Sequence, residues 1–173
     1  MTTSPDTVTA ERLETPRLVL RPPVDGDRDA AIHLGTDPGV TAHLGVRPPK
    51  PGAYLVADRT TDGCLGLVTL DRRPASRPGH VVPEGEELEI GCIFARWAWG
   101  QGYAAEAAGA LLRAAAEELP DQPVVLVTQT ANERSLALAA RLGFVPAQTF
   151  VEFDAEQTLA TADLAAFRPR PQG

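Results

Sequence analysis

A chain of 173 residues, 43% of them hydrophobic, is long enough to bury one sizeable core and suits one domain. Its formal charge of −7, from 16 basic against 23 acidic residues, argues against nonspecific nucleic-acid binding, because no basic run exists to displace counterions. An acidic surface weakly favours a cationic acceptor, such as an amine.

Residues 1–11 are polar and lack periodicity, which predicts a disordered tail. No charged-then-apolar signal pattern is present there, and no apolar run approaches the ~18 residues of a membrane span. The expectation is a soluble, cytoplasmic protein. Thr15 to Arg21, closed by Pro22-Pro23, predicts a first strand. Asp25 opens a helical pattern that Gly35 stops, and Asp37-Pro38 opens a second, to about Leu44. A proline-rich connector fills 45–52. Ala53 to Arg59 and Cys64 to Leu70 read as strands joined by Thr60-Thr61-Asp62-Gly63, where Asp-Gly is a hairpin signal.

The aperiodic stretch 71–87, rich in turn formers, predicts a surface loop. Leu88 to Phe94 reads as the central strand. An alanine-rich helix then runs to about Leu119, before Pro120. Val124 to Thr128 is an unbroken apolar run, as expected of a strand buried on both faces. Asn132 caps a helix that Gly143 terminates. Thr149 to Phe153 and Thr158 to Phe167 predict a closing hairpin. The order implies one α/β (α+β) domain over 12–168, with a mixed seven-stranded sheet, about four helices and a tail at 169–173.

The stretch with most chemistry in it is Trp97-Ala98-Trp99-Gly100-Gln101-Gly102-Tyr103-Ala104-Ala105-Glu106-Ala107. A glycine-bearing turn opens directly into a helix. The first N–H groups of that helix have no partners, and its dipole is positive there, so the turn suits phosphate. Neither Gly-Lys-Ser/Thr nor Gly-x-Gly-x-x-Gly is present, which excludes the common nucleotide loops. A ligand-free strand-to-helix turn is the plain alternative.

This stretch resembles the acyl-CoA pyrophosphate loop of the GNAT N-acetyltransferase superfamily, (Arg/Gln)-x-x-Gly-x-(Gly/Ala). Trp99 departs at the first position. The form Trp-Gly-(Gln/Lys)-Gly-Tyr-Ala-x-Glu-Ala is common in one branch, the ribosomal-protein-alanine N-acetyltransferases. The opening Glu14-Thr15-Pro16-Arg17-Leu18-Val19-Leu20-Arg21-Pro22 is similar to that branch too, so the resemblance covers about residues 13–167.

The resemblance implies a mostly antiparallel sheet whose central parallel strands, 88–94 and 124–128, splay apart. It implies acetyl-CoA as co-substrate, with its pyrophosphate on the backbone N–H groups of Gln101, Gly102, Tyr103, Ala104 and Ala105. The pantetheine arm would pair with backbone near Ile93 and Ala95, as an added strand does. Asn132 would contact the pantetheine or the reacting carbonyl region, and Ser135 would lie near the thioester sulfur. An Asn helix cap is the plain alternative for Asn132. Seven residues after Asn132, where the superfamily often places a Tyr that protonates the leaving thiolate, stands Ala139. Ser135 or a water is the substitute.

An amine must lose a proton before it attacks, and a carboxylate can take it. Glu89 alternates with the apolar residues of the central strand, where the family often places its base. An ordinary ion-paired Glu is the plain alternative, and Glu86 and Glu87 have similar claims. Neither Cys64 nor Cys92 sits where a nucleophile is expected, and His33, His43 and His80 lack ligand spacing, so no metal is expected. The expected activity is acetyl transfer from acetyl-CoA to a primary amine, a protein N-terminus or a small molecule, by direct attack in a ternary complex. The alternative is a non-catalytic acyl-CoA-binding sensor or interaction module on the same fold. In the family the closing hairpin commonly adds to a partner's sheet, which leaves a homodimer open.

Overall fold

The computed structural model describes residues 7–22, 27, 29, 34 and 53–169. The helices expected at 25–35 and 37–44, the 45–52 connector and residues 170–173 lie outside the described set, apart from Asp27, Asp29 and Leu34. One sheet holds β1 (Leu13–Glu14), β2 (Leu18–Arg21), β3 (Ala53–Asp58), β4 (Cys64–Arg72), β5 (Leu88–Phe94), β6 (Pro123–Gln129), β7 (Val145–Glu152) and β8 (Ala155–Asp163). Their order is β1-β2-β3-β4-β5-β6-β8-β7. Helix α1 (Tyr103–Glu118) links β5 to β6, and α2 (Glu133–Leu142) links β6 to β7.

Among the described residues the β5–β6 pair is parallel and the others antiparallel. The mixed α/β sheet is the one expected, with eight strands instead of seven. The additional strand is β1, which Thr15-Pro16 folds back on β2 so that Leu13 faces Leu20. The Thr15 N–H donates to the Leu18 carbonyl at 2.9 Å and closes that turn. Residues 7–9, within the stretch expected to be a tail, are packed on the fold. Val8 is buried, the Thr7 hydroxyl donates to the Leu70 carbonyl, and the Thr9 N–H donates to Glu118.

The closing hairpin starts earlier and ends earlier than its sequence suggests. β7 begins at Val145 and tolerates Pro146 because it is an edge strand, with a register shift between Pro146 and Gln148. After β8 a 3-10 turn, Leu164–Phe167, buries Leu164 against the core.

The core lies between the sheet and α1. Leu88, Ile90, Phe94, Val124 and Leu126 meet Ala107, Ala108, Leu111, Leu112 and Ala115. The small alanines let the helix approach the sheet closely. Val125, Val127 and Leu159 on the opposite face pack with Val81 and Phe150. Glu89 follows the pleat to that opposite face.

The start of α1 is tied to the β1–β2 turn. Glu106, on its first turn, accepts from the Thr15 hydroxyl (2.5 Å), the Arg17 N–H (3.1 Å) and Arg17 Nε (2.7 Å). Burial pushes the Glu106 carboxyl up, but these hydrogen bonds outweigh it and hold the group below its ordinary range. A depressed carboxyl stabilises the fold above its unfolded pKa, about 4.3, and that stability is lost as pH falls through the folded value. The melting temperature is therefore expected to drop as pH is lowered below about 4.3. Glu106→Gln is expected to flatten part of that slope in melts taken across this range. An unchanged slope would refute the contribution; Glu87 and Glu152 are also held below their ordinary range and add in the same direction.

Candidate active site

β5 and β6 are in register at only two pairs, Leu88↔Val124 and Glu89↔Val125. Beyond these the parallel strands part. A cleft of about 690 Å³ opens at the gap, bounded by β5, the turn into α1 and one side of α2 from its Asn132 cap to Arg141.

The turn into α1 needs its glycines. Gly100 (φ +78°) and Gly102 (φ +79°) are both left-handed, and Gly102 caps the helix. The first α-helical bond runs from the Glu106 N–H to the Gly102 carbonyl at 3.1 Å. The amides of Tyr103, Ala104 and Ala105 therefore have no acceptor within the helix. Gly102, Tyr103, Ala104 and Ala105 all line the cleft. Bare backbone donors, a helix dipole and no Cβ in the way suit a pyrophosphate group. Gln101 is not among the residues lining the cleft; its side chain donates to the Trp97 carbonyl (3.2 Å) and its carbonyl accepts from Arg17 (2.9 Å).

The backbone along β5 corrects the sequence reading by one residue. The Ala95 N–H donates to Leu65 O of the neighbouring chain segment at 2.9 Å, so it is not turned to the gap. Hydrogen-bonded pairs alternate in an antiparallel ladder, and Ile93, opposite Leu67, has the same parity as Ala95. Cys92 and Phe94 therefore turn their backbone groups toward the gap. The Phe94 carbonyl accepts from the Trp99 indole at 2.9 Å. Ile93 lines the cleft, whereas Ala95 does not.

At the far wall, Asn132 caps α2, its side chain accepting from the Ser135 N–H at 3.2 Å. Asn132 and Ser135 both border the cleft. Cys92 does too, but burial pushes its thiol up to about 12, so it is a poor nucleophile. Cys64 is likewise raised by burial. Ala139, where a Tyr would stand, is buried.

Glu89 is not in the cleft wall. It is almost fully buried on the opposite face of β5, where Arg73 Nη1 donates to its Oε2 at 2.9 Å and Arg77 lies 3.9 Å from Oε1. Arg73 and Arg77 also hold Glu152 on β7. These arginines rise from the 73–87 loop, which is latched further by His80 against Glu87 (2.8 Å). The loop is thus anchored against this face. The sequence showed its turn formers but not its charge pairs.

The sequence reading also missed Arg96, Arg134 and Arg141, which border the cleft. A signal was present: Arg134 and Arg141 are seven apart on α2, so they share a stripe. Among the described residues no cluster of His, Cys, Asp or Glu could hold a metal ion, and no helix is long and apolar enough to cross a membrane.

A sheet parted at two parallel strands beside a glycine-capped helix defines an acyltransferase fold. Residues 17–145 match the acetyltransferase (GNAT) domain family, and the chain belongs to it. That family uses acetyl-CoA. Solved structures agree. An acetyltransferase of Agrobacterium tumefaciens is 25% identical, with 89% of this chain and 95% of that one covered and a TM-score of 0.69. A GNAT-family acetyltransferase of Bacillus anthracis is 17% identical, covering 88% and 98%, with a TM-score of 0.73. A spermidine N-acetyltransferase of Vibrio cholerae, solved with CoA and spermine, is 16% identical, covering 88% and 99%, with a TM-score of 0.70. The two lower identities speak to the fold alone.

Proposed function

We propose that this chain transfers an acetyl group from acetyl-CoA to a primary amine, by direct attack within a ternary complex. The observation that supports it most is the continuity of one cleft from the glycine-capped start of α1 to Asn132 and Ser135. In this reading the amides of Gly102, Tyr103, Ala104 and Ala105 hold the pyrophosphate, and Cys92 and Phe94 offer backbone to the pantetheine arm. Acetyl-CoA supplies the activated acyl group.

The chain's own residues then do three things. Asn132 fixes the first turn of α2 and places Ser135 at the reacting end, where its hydroxyl can donate to the departing thiolate. The raised Cys92 thiol argues against an acyl-enzyme. Glu89 is assigned the proton of the ammonium, taken from the sheet face opposite α1, with Arg73 fixing the carboxylate. A protein N-terminus and a small-molecule amine are both acceptors of the right chemistry.

Thermal unfolding tests the core of this proposal. Acetyl-CoA at a hundredfold over its dissociation constant is expected to add about 2.7 kcal/mol, or about 5–10 °C for a chain of this size. ADP and ATP serve as controls. Gly102→Val, which places a β-branched residue at φ +79°, is expected to abolish most of that shift. Release of free thiol with a panel of amines then separates an enzyme from a non-catalytic acyl-CoA sensor. No shift in the folded wild-type chain would sink the proposal.

A further inference from the structure

The helix start can take two phosphates of a CoA ester, but the ester carries a third, a monoester on the ribose. A phosphate monoester holds about −1.5 to −2 charges at neutral pH and needs cations of its own. In a chain of formal charge −7 such a ligand meets repulsion unless the cleft is locally positive.

The rim of the cleft is locally positive: three arginines border it against one carboxylate, Glu133. Arg134 lies 4.5 Å from the centre of the Trp99 ring, and Arg96 lies 5.8 Å from it. The ring itself is fixed by its hydrogen bond to the Phe94 carbonyl. Arginines on the opposite face behave differently, for Arg73 and Arg77 are spent on Glu89 and Glu152. Among the described residues Arg96, Arg134 and Arg141 have no carboxylate partner. A guanidinium stacked on a ring keeps its edge donors outward, ready for a phosphate.

We infer that Arg134 and Arg96, held on the Trp99 platform, bind the ribose 3′-phosphate and make the site selective for CoA esters over their dephospho forms. This rests on the acyl-CoA reading above. It also gives Trp99, where the family's loop usually carries Arg or Gln, a role: it recruits two arginines in place of one polar side chain.

Calorimetric titration of the full chain with CoA and with dephospho-CoA, at one fixed salt concentration, tests the inference. The wild type is expected to prefer CoA by roughly tenfold or more. Arg134→Ala with Arg96→Ala is expected to bring the ratio to within about twofold, while dephospho-CoA binding stays near the wild-type value. Arg134→Lys is expected to keep part of the preference, having the charge without the planar stack. Equal binding of both ligands by the wild type, or a preference that survives the double substitution, would overturn the inference and leave the acyl-CoA reading intact. Binding of neither ligand would overturn both.

Discussion

Arg73→Ala is expected to destabilise the domain by about 3–5 kcal/mol, the usual result of removing one partner from a buried charge pair. Arg73 is fully buried. Its guanidinium donates to Glu89 (2.9 Å), to the carbonyls of Gly79 (2.8 Å) and Pro78, and lies 3.4 Å from Glu152. It also rests 5.4 Å from the centre of the Phe150 ring. Truncation strips Glu89 of its guanidinium at 2.9 Å and leaves two loop carbonyls without this donor. Because whole domains have only about 5–15 kcal/mol in hand, the loss is large. The melting temperature is expected to fall by about 6–20 °C.

Denaturant and thermal melts measure that loss, and limited proteolysis between residues 73 and 87 reports whether the loop comes away. Arg73→Lys covers the case in which the alanine variant does not fold. Lysine retains a charge but cannot reach two carbonyls and two carboxylates at once, so it is expected to recover less than half of the loss. A cost under about 1 kcal/mol for Arg73→Ala would place the pair with ordinary surface bridges and remove the anchor from this account.

Local chemistry decided which parts of this architecture could be read in advance. The glycine turn into α1 was legible because φ > 0 at Gly100 and Gly102 leaves few other residues possible. Asn132 and Gly143 were legible as helix caps for the same kind of reason, and Gly143 does end α2 at φ +95°. The register of β5 was not legible. Whether Ile93 or Phe94 turns its amide to the gap depends on pairing with β4, a contact distant in sequence. Nor could periodicity show that Glu89 would meet Arg73, since that pair crosses the fold between a strand and an irregular loop. The arginine rim was hidden differently. Arg96 and Arg134 come together only because Trp99 stands between two separate elements.

Glu89→Gln is expected to lower turnover by about 10²–10⁴-fold, the range for losing a general base. Affinity for acetyl-CoA is expected to change by less than about twofold, because Glu89 lies outside the cleft wall. Glutamine preserves shape and one hydrogen-bond acceptor for Arg73, but it cannot take a proton. The variant also weakens a buried charge pair, so a drop in stability is expected alongside. Rates are therefore compared well below the melting temperature of the variant. Turnover of the folded fraction separates chemistry from architecture. If Glu89 removes the proton, Glu89→Gln loses turnover by that factor while acetyl-CoA affinity holds. If Glu89 only anchors Arg73, turnover of the folded fraction stays within a few-fold of wild type. In that second outcome the proton would leave the amine by way of solvent, and the network of Arg73, Arg77 and Glu152 would be a brace for the loop over the face of the sheet opposite α1.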